Sequence, residues 1–318
     1  MKKLLIITTS ISVDEGRGRY AVDMIKGLAK DFKMIVFTSQ RPHEHENDLK
    51  DIDLEIHDLP NTNKLTKPHI YFWYSIKLLP YIFKSDLVHF FSDYPYCVLF
   101  AWIPFIKKSI FITVHGTYGV LPLDKLKSKF LLKKAYRRAK KIFCVSTFTQ
   151  KQILKRIKLD NTVVINNGVD YSKFQSSIGV KKNKERSILG VGELKPRKGY
   201  HISIPAIAKV KKRYPDIKYY IVGGKPPKIY VNLVKKYNLE NNVKFLFGLS
   251  DKELIEFYYK VDIFVLTPIT INNNDFEGFG LVYLEAGACG KPVIGTYDCG
   301  AEDAIINNVT GFLVSQNN

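Results

Sequence analysis

Residues 276–295 read FEGFGLVYLEAGACGKPVIG, a stretch in which two acids stand among glycines and apolar side chains. The apolar run DIFVLTP precedes it and PVIGTY overlaps its end, so the local order is strand, loop, helix, strand. We expect Glu277 to lie in the glycine-rich loop and Glu285 more than one turn into the helix. Eight residues advance a helix by about 800°, so two helical acids at this spacing would not share a face.

The same alternation extends outward through both halves of the chain. Short apolar runs such as LLIITT, KMIVFT and KYYIVGG alternate with longer amphipathic ones, which predicts parallel strands joined by right-handed crossovers. Residues 166–184 interrupt the rhythm with few apolar side chains and turn-forming residues. We therefore predict an α/β protein of two Rossmann-like, doubly wound domains facing each other across a cleft: residues 1–170, a linker over 171–184, and residues 185–318.

The composition sets limits on the class of protein. The 318 residues exceed what one core of typical size holds. The four cysteines form no CxxC pair and no Cys/His ligand spacing, which favours a reducing compartment and argues against a zinc site. The apolar start of the chain stops at Thr8, too early for an export signal, and no uninterrupted run of ~20 apolar residues predicts a membrane span.

The formal charge of +19 is concentrated, because residues 107–158 contain fifteen Lys or Arg and one acid. A basic surface without function or an anionic partner, either a membrane or a nucleic acid, would explain it. The basic helix KLKSKFLLKKAYRRAKK and the aromatic segment IYFWYSIKLLPYIF are compatible with binding to an anionic bilayer, unless their apolar sides only pack on the sheet. The sequence contains no recognised nucleic-acid module.

Ligands of open parallel sheets bind beyond the carboxyl ends of the strands, and three loops there carry candidate residues. Gly16 and Gly18 open a helix, where the backbone can approach an anion. His115 follows an apolar strand and could contact substrate, while Arg197 and Lys198 could neutralise a diphosphate. Each loop also has an alternative interpretation without a ligand. The glycines could form only a tight turn, the histidine could be a hydrogen-bonded structural residue, and the two cations could lie in a solvated basic turn. Neither the Walker nor the dinucleotide spacing is present.

The fourth loop is the glycine-rich stretch itself. Gly278 and Gly280 let the backbone come close to a ligand at a helix start, where the helix dipole favours negative charge. Glu277 and Glu285 could accept hydrogen bonds from hydroxyls on different parts of one ligand. A ligand with hydroxyls at both ends and a diphosphate between them is a sugar nucleotide. Either acid taken singly has an alternative explanation: it could be an acid that the helix dipole stabilises at a helix start, or an ordinary surface acid.

The stretch EGFGLVYLEAGACGKPVIG, with seven residues between its acids, resembles the donor-site signature of retaining GT-B glycosyltransferases of family 4. Further segments resemble the same family in the same order. They are VHG, CVSTFTQ, INNGVDYSKF, GVGELKPRKG and TGFLV, beginning at residues 114, 144, 165, 190 and 310. The resemblance covers nearly the whole chain.

The resemblance implies an acceptor-binding first domain and a second domain that holds a UDP- or GDP-sugar. Glu285 would accept hydrogen bonds from the ribose, and Glu277 would lie beside the transferred sugar. The diphosphate would be held by Arg197, Lys198 and the backbone at Gly278, Phe279, Gly280 and Leu281, with the loop at Gly16 and Gly18 closing over it. His115 would lie near the anomeric carbon. These assignments make Glu277, His115 and Lys198 the candidate catalytic residues, with neither metal nor cofactor.

Two features depart from the family pattern. Members commonly carry Arg where this chain has Glu193, so we expect Glu193 to point away from the diphosphate and Arg197 to take that role. Members also usually continue beyond TGFLV with a helical tail that crosses back to the first domain, whereas this sequence stops at Asn318.

The resemblance thus implies a retaining, metal-independent hexosyltransferase of polysaccharide biosynthesis. Its acceptor would be a lipid-linked or membrane-associated glycan, and the protein would be peripheral on the cytoplasmic face of the inner membrane. A non-catalytic glycosyltransferase-like subunit and a GT-B sugar-nucleotide epimerase are the alternatives, and a nucleic-acid partner is not expected.

Overall fold

The computed structural model describes residues 1–13, 16–41, 48–61, 68–101, 103, 105–175, 179–271 and 275–317. The chain divides into two compact units, Met1–Asn167 and Gly168–Asn318. Within the segment predicted as a linker, residues Tyr171–Gln175 form a helix whose Phe174 is buried in the core of the second unit.

The first unit is built on a parallel sheet. Its strands and helices, in chain order, are β1 (Lys2–Thr8), α1 (Gly16–Leu28), β2 (Phe32–Thr38), β3 (Leu54–Asp58), α2 (Pro68–Lys84), β4 (Leu87–Phe90), β5 (Ser109–Val114), α3 (Thr117–Val120), α4 (Leu126–Arg138), β6 (Lys141–Cys144), α5 (Thr147–Leu154) and β7 (Thr162–Val164). The strand order is β3-β2-β1-β4-β5-β6-β7. Buried runs in β1 and β2 agree with a sheet that helices cover on both faces.

The second unit repeats the plan with six strands. Its elements are α6 (Tyr171–Gln175), β8 (Ser187–Val191), α7 (Tyr200–Lys211), β9 (Lys218–Val222), α8 (Lys228–Lys236), β10 (Val243–Leu246), α9 (Asp251–Lys260), β11 (Ile263–Val265), α10 (Leu281–Ala288), β12 (Val293–Thr296), α11 (Ala301–Ala304) and β13 (Gly311–Val314). The strand order is β10-β9-β8-β11-β12-β13, and its strand pairs are parallel. The prediction of two doubly wound sheets is confirmed.

Local signals set several element boundaries. Ser250 caps α9 by accepting a hydrogen bond from the backbone of Glu253, whose carboxylate accepts from the Ser250 backbone in return. This reciprocal capping box satisfies two amide groups that a helix start otherwise leaves unpaired. The short helix α3 and the 3-10 turns at Tyr96–Val98 and Leu121–Asp124 were not predicted, because runs of three or four residues carry little periodic signal. Within the described ranges, no helix has the length and apolar character required to cross a bilayer.

Candidate functional site

In the second unit, the loop after β8 presents two cations from a 3-10 turn, Pro196–Lys198. Gly199 ends this turn with φ 73°, and a Cβ there would lie 1.7 Å from the carbonyl oxygen of Thr267. The Arg197 carbonyl in turn accepts a hydrogen bond from the amide of Ile269 at 2.8 Å. Only glycine fits this close contact, which fixes the turn against the loop that follows β11.

Glu277 lies at the same point and is 8% exposed. Its Oε2 accepts hydrogen bonds from Arg197 Nη1 at 2.7 Å and from Lys198 Nζ at 2.6 Å. Arg197 Nε also lies 3.5 Å from the carboxylate of Asp275. No Lys or Arg lies within ten positions of Glu277 in the sequence, so these partners, about eighty positions away, are brought to it by the tertiary structure.

The pKa of the Glu277 carboxyl reflects opposing effects. Burial alone would raise it, but attraction to the Lys198 ammonium and the Arg197 guanidinium outweighs burial and lowers the pKa to about 2. Glu277 is therefore ionised at neutral pH and forms a compact ion cluster with Arg197 and Lys198, and Arg197 also pairs with the Asp275 carboxylate.

Backbone amides of a helix start lie next in sequence to this cluster. Gly280 is the N-cap of α10 with φ 88°, and a Cβ there would lie 2.6 Å from the Tyr283 ring. Gly300 approaches Gly278 so closely that a Cβ would lie 2.0 Å from the Gly278 oxygen, and its amide donates to the Glu277 carbonyl at 2.8 Å. Since Gly280 has no side chain that could cap the helix, the amides of the first turn are suited to an external anion.

Glu285 has different surroundings from Glu277. It lies in the second turn of α10, is 3% exposed, and its Oε2 accepts a hydrogen bond from the Tyr258 hydroxyl at 2.9 Å. Tyr258 belongs to α9 and packs edge-on against Phe174. The expected placement of one acid in the loop and the other in the helix is confirmed, and neither side chain lies on the open surface.

Glu193, the departure from the family pattern, forms an ion pair with Lys195 at 2.8 Å. Its side chain is 65% exposed, whereas that of Lys198 is 11% exposed. The structure therefore places Glu193 at the surface with its own cation, whereas the Arg197 side chain contacts the buried Glu277 carboxylate.

In the first unit, the carboxyl end of β5 leads to His115. Its Nε2 lies 2.7 Å from the Phe91 carbonyl oxygen, and its backbone amide donates to Asp93 Oδ2 at 3.2 Å. The Tyr20 ring from α1 packs edge-on against the imidazole at 4.6 Å. Since a carbonyl only accepts, Nε2 carries the proton of this hydrogen bond.

The charge state of His115 follows from its surroundings. Burial lowers the pKa of the imidazole, the Phe91 carbonyl partly opposes this, and the nearby Arg17 guanidinium lowers it further, to about 4. The ring is therefore neutral at physiological pH. With the proton on Nε2, Nδ1 is the nitrogen that can accept a hydrogen bond from a ligand.

Gly16 and Gly18 open α1, as predicted, but they differ in surroundings. A Cβ on Gly18 would lie 1.9 Å from the Ser12 carbonyl oxygen, so glycine is required for packing against the loop after β1. A Cβ on Gly16 would have no neighbour within 4 Å. The close approach that the sequence suggested for a ligand is, at Gly18, made by the protein's own backbone.

Sequence reasoning missed Asp93, a fully buried acid after β4. Its Oδ1 has no hydrogen-bond partner among the described residues, and burial raises the pKa of its carboxyl to about 6, against the lowering effect of Arg17. Its position in the sequence could have identified it as a candidate site residue. Asp93 follows the buried strand LVHF, at the same carboxyl edge of the sheet as His115.

Two family profiles match the chain. One described as Glycosyltransferase Family 4 matches residues 15–173, and one described as glycosyl transferases group 1 matches residues 172–318. The two matches meet near the boundary between the structural units and together cover nearly the whole sequence.

Individual proteins with similar sequences are also glycosyltransferases. An uncharacterised glycosyltransferase of Methanocaldococcus jannaschii is 28% identical over 298 residues, which cover 91% of this chain and 76% of the relative. The GDP-mannose-dependent alpha-(1-6)-phosphatidylinositol monomannoside mannosyltransferase of Mycolicibacterium smegmatis is 32% identical over 160 residues, which cover 46% of this chain and 41% of the relative.

Among solved structures, Anabaena HepE in complex with UDP and glucose is similar with a TM-score of 0.77 and 21% identity, covering 100% of this chain and 86% of that one. WaaG, a glycosyltransferase involved in lipopolysaccharide biosynthesis, is similar with a TM-score of 0.72 and 17% identity, covering 98% and 86%. At these identities the likeness shows the fold, which is GT-B.

Proposed function

Because the chain belongs to the group 1 glycosyl transferases of family 4 and has the GT-B fold, we propose that it moves a hexose-type sugar from a UDP- or GDP-sugar to an acceptor hydroxyl, retaining the anomeric configuration. The observation that carries the proposal is the cluster of the buried Glu277 with the partly buried Arg197 and Lys198, beside the glycine-capped start of α10. A carboxylate, two cations and helix amides suit a ligand that has hydroxyls next to a diphosphate.

The proposed roles follow from the chemistry of each group. Arg197, Lys198 and the amides from Gly278 to Leu281 would bind the diphosphate, and Glu277 would orient the transferred sugar through its hydroxyls. Glu285 would accept hydrogen bonds from the ribose. Two similar proteins support the donor class, since the mycobacterial mannosyltransferase is GDP-mannose-dependent and the Anabaena HepE structure contains UDP and glucose.

In the proposed reaction, the bond between the anomeric carbon and the diphosphate oxygen breaks, and a bond to the acceptor oxygen forms. The acceptor proton passes to the departing diphosphate. Arg197, Lys198 and the positive end of α10 would stabilise the negative charge that develops there, and so would take the place of a metal ion. His115, neutral and with Nδ1 as acceptor, would contact a sugar hydroxyl near the anomeric carbon, and the loop with Gly16 and Gly18 would cover the phosphates.

The acceptor class is proposed as a lipid-linked or membrane-associated glycan of polysaccharide biosynthesis, used at the cytoplasmic face of the inner membrane. Two findings support this class. One relative acts on a phosphatidylinositol monomannoside, and a fold neighbour is involved in lipopolysaccharide biosynthesis. The excess of basic residues in the first unit is also consistent with an acceptor at an anionic surface.

A thermal-shift screen against UDP, GDP, ADP and their sugars tests the proposal. A nucleotide that binds the folded chain raises Tm by mass action. Glu285→Ala should weaken nucleotide binding, whereas Glu277→Gln should reduce sugar transfer more than nucleotide affinity. If no nucleotide raises Tm, the proposal fails, and if one binds but no sugar is transferred or hydrolysed, a non-catalytic subunit is the better description.

A further inference from the structure

The outward side of α2 is unusually apolar for a helix on a protein surface. Positions 69, 72, 73, 76, 80 and 83 are exposed at helical spacing, while Ser75, Leu78 and Ile82 face inward and are buried. Among the exposed side chains, Phe72 is 65% and Trp73 67% exposed. A run of exposed aromatic residues along one helix marks an interaction surface more often than scattered apolar residues do.

The sheet topology places α4 on the same face of the sheet as α2. The helix α1 links β1 to β2, a step toward the β3 edge of the sheet. The helix α2 links β3 to β4 and α4 links β5 to β6, and both steps run toward the β7 edge. Right-handed crossovers therefore put α2 and α4 on one face and α1 on the other. The exposed side of α4 carries Leu126, 89% exposed, and Phe130, 67% exposed, one turn apart.

The chain between β4 and β5 joins these two helices into one layer. Ser75 of α2 donates to the Leu99 carbonyl at 2.6 Å, and Arg138 of α4 donates to the carbonyls of residues 100, 101 and 103 at 2.6–3.2 Å. Phe105 continues the apolar surface, since it is 61% exposed and its ring lies parallel to that of Phe83, 6.5 Å away. The exposed aromatic residues thus extend from α2 toward α4.

Cations accompany this apolar surface. The helices α2 and α4 together carry eight Lys or Arg and no acid, and Lys107 and Lys108 follow Phe105. On α4, the exposed cations Lys127, Lys134 and Arg137 lie on the same helix as Leu126 and Phe130. Aromatic and aliphatic side chains among long basic side chains are typical of surfaces that lie in the interface of an anionic bilayer.

We propose that the outer face of the α2–α4 layer docks in the plane of an anionic lipid bilayer. Phe72, Trp73 and Phe83 enter the headgroup region, together with Phe130 of α4, and the cations contact anionic headgroups. A bilayer is favoured over a protein partner because both helices carry cations and no acid, which suits a continuous anionic surface. The inference rests on the membrane-associated acceptor of the proposed function and deepens it by naming the face of the first unit that meets the bilayer.

Flotation of the full chain with phosphatidylcholine vesicles, with and without phosphatidylglycerol, tests the charge requirement. The chain should float only with the anionic vesicles and be released by about 1 M salt, where the Debye length falls to ~3 Å. Replacing Lys127, Lys134 and Arg137 by Gln should weaken partitioning roughly a hundredfold. Replacing Lys212, Lys235 and Lys252 of the second unit by Gln changes the net charge equally and should leave partitioning unchanged.

A second experiment tests insertion of the aromatic residues. Trp73 fluorescence should shift to the blue with anionic vesicles, and the shift should be lost in Trp73→Phe. The double variant Phe72→Ser, Phe130→Ser should weaken binding at least tenfold. Its matched control is Phe247→Ser, Phe312→Ser, since these second-unit residues are 58% and 56% exposed.

Equal binding to neutral vesicles, equal effects of both sets of variants, or a Trp73 spectrum that vesicles leave unchanged would each overturn the proposal. Vesicle-independent self-association that the Phe72 and Phe130 changes abolish would identify a second copy of the chain as the occupant instead. All measurements are made without nucleotide sugar, so their results do not depend on whether the chain has the proposed transferase activity.

Discussion

Glu277 is a buried carboxylate whose two hydrogen-bond donors, Arg197 and Lys198, are both cationic. We expect Glu277→Gln to lower the free energy of unfolding by about 3 kcal/mol, because it removes the carboxylate that pairs with Lys198 and leaves Arg197 with the longer, 3.5 Å pair to Asp275. Urea denaturation at neutral pH measures this. The matched control is Glu193→Gln, which breaks an exposed pair and should cost less than about 1 kcal/mol.

The same residue predicts a pH window. The folded-state pKa of Glu277 is lowered to about 2 from its ordinary value of 4.5, so its stabilising effect is complete above about pH 4.5 and is lost as pH falls toward 2. The stability difference between the native chain and Glu277→Gln should therefore be constant near neutrality and shrink in acid. A difference that grew on acidification would show that the carboxylate is not held by these cations.

Asp93 should behave in the opposite sense. Burial raises the pKa of its carboxyl from 3.8 to about 6, so ionising Asp93 costs stability as pH rises through this interval. Relative to the native chain, Asp93→Asn should gain about 2 kcal/mol of stability between about pH 4 and pH 7, measured by denaturant unfolding. Asp58→Asn is the control with the reverse trend, because the hydrogen bond from Arg41 lowers the pKa of Asp58. A flat pH dependence for Asp93→Asn would contradict the burial argument.

At the scale of elements, the start of α1 provides a matched pair of glycines. Gly18→Ala places a methyl group 1.9 Å from the Ser12 carbonyl oxygen, which requires the loop after β1 to move and should cost about 1–3 kcal/mol. Gly16→Ala meets open space in the same helix and should be neutral or stabilise by up to about 1 kcal/mol. Thermal unfolding of the two variants compares them directly, and equal effects would mean that the loop adapts without strain.

Element type was predictable for the longer helices and the buried strands, because their periodicity is a local property. The capping box at Ser250 and Glu253 and the start of α10 at the glycine-rich loop are such local signals. The short helix α3 was not predictable in this way, and neither was the role of Gly18. The reason for glycine there is a contact with another loop, which no local pattern contains.

At the scale of the molecule, each unit has buried apolar clusters of its own, one in the first unit drawn from residues between Leu4 and Phe91 and one in the second from residues between Phe174 and Ile305. A nucleotide bound at the proposed site should therefore protect the second unit most. Hydrogen–deuterium exchange with UDP or GDP should slow in the Pro196–Lys198 turn and in α10, with little change in β2 and β3. Protection confined to the first unit would contradict the site assignment.

The sequence by itself determined the α/β class, the two parallel sheets and the position of one acid in a loop and the other in a helix. These follow from periodicity and glycine placement, which act over a few residues. Only the tertiary structure decided that Glu277 binds Arg197 and Lys198, that Asp93 is buried next to His115, and that the aromatic side of α2 faces outward. Such contacts depend on which strands become neighbours, and strand order joins residues that are far apart along the chain.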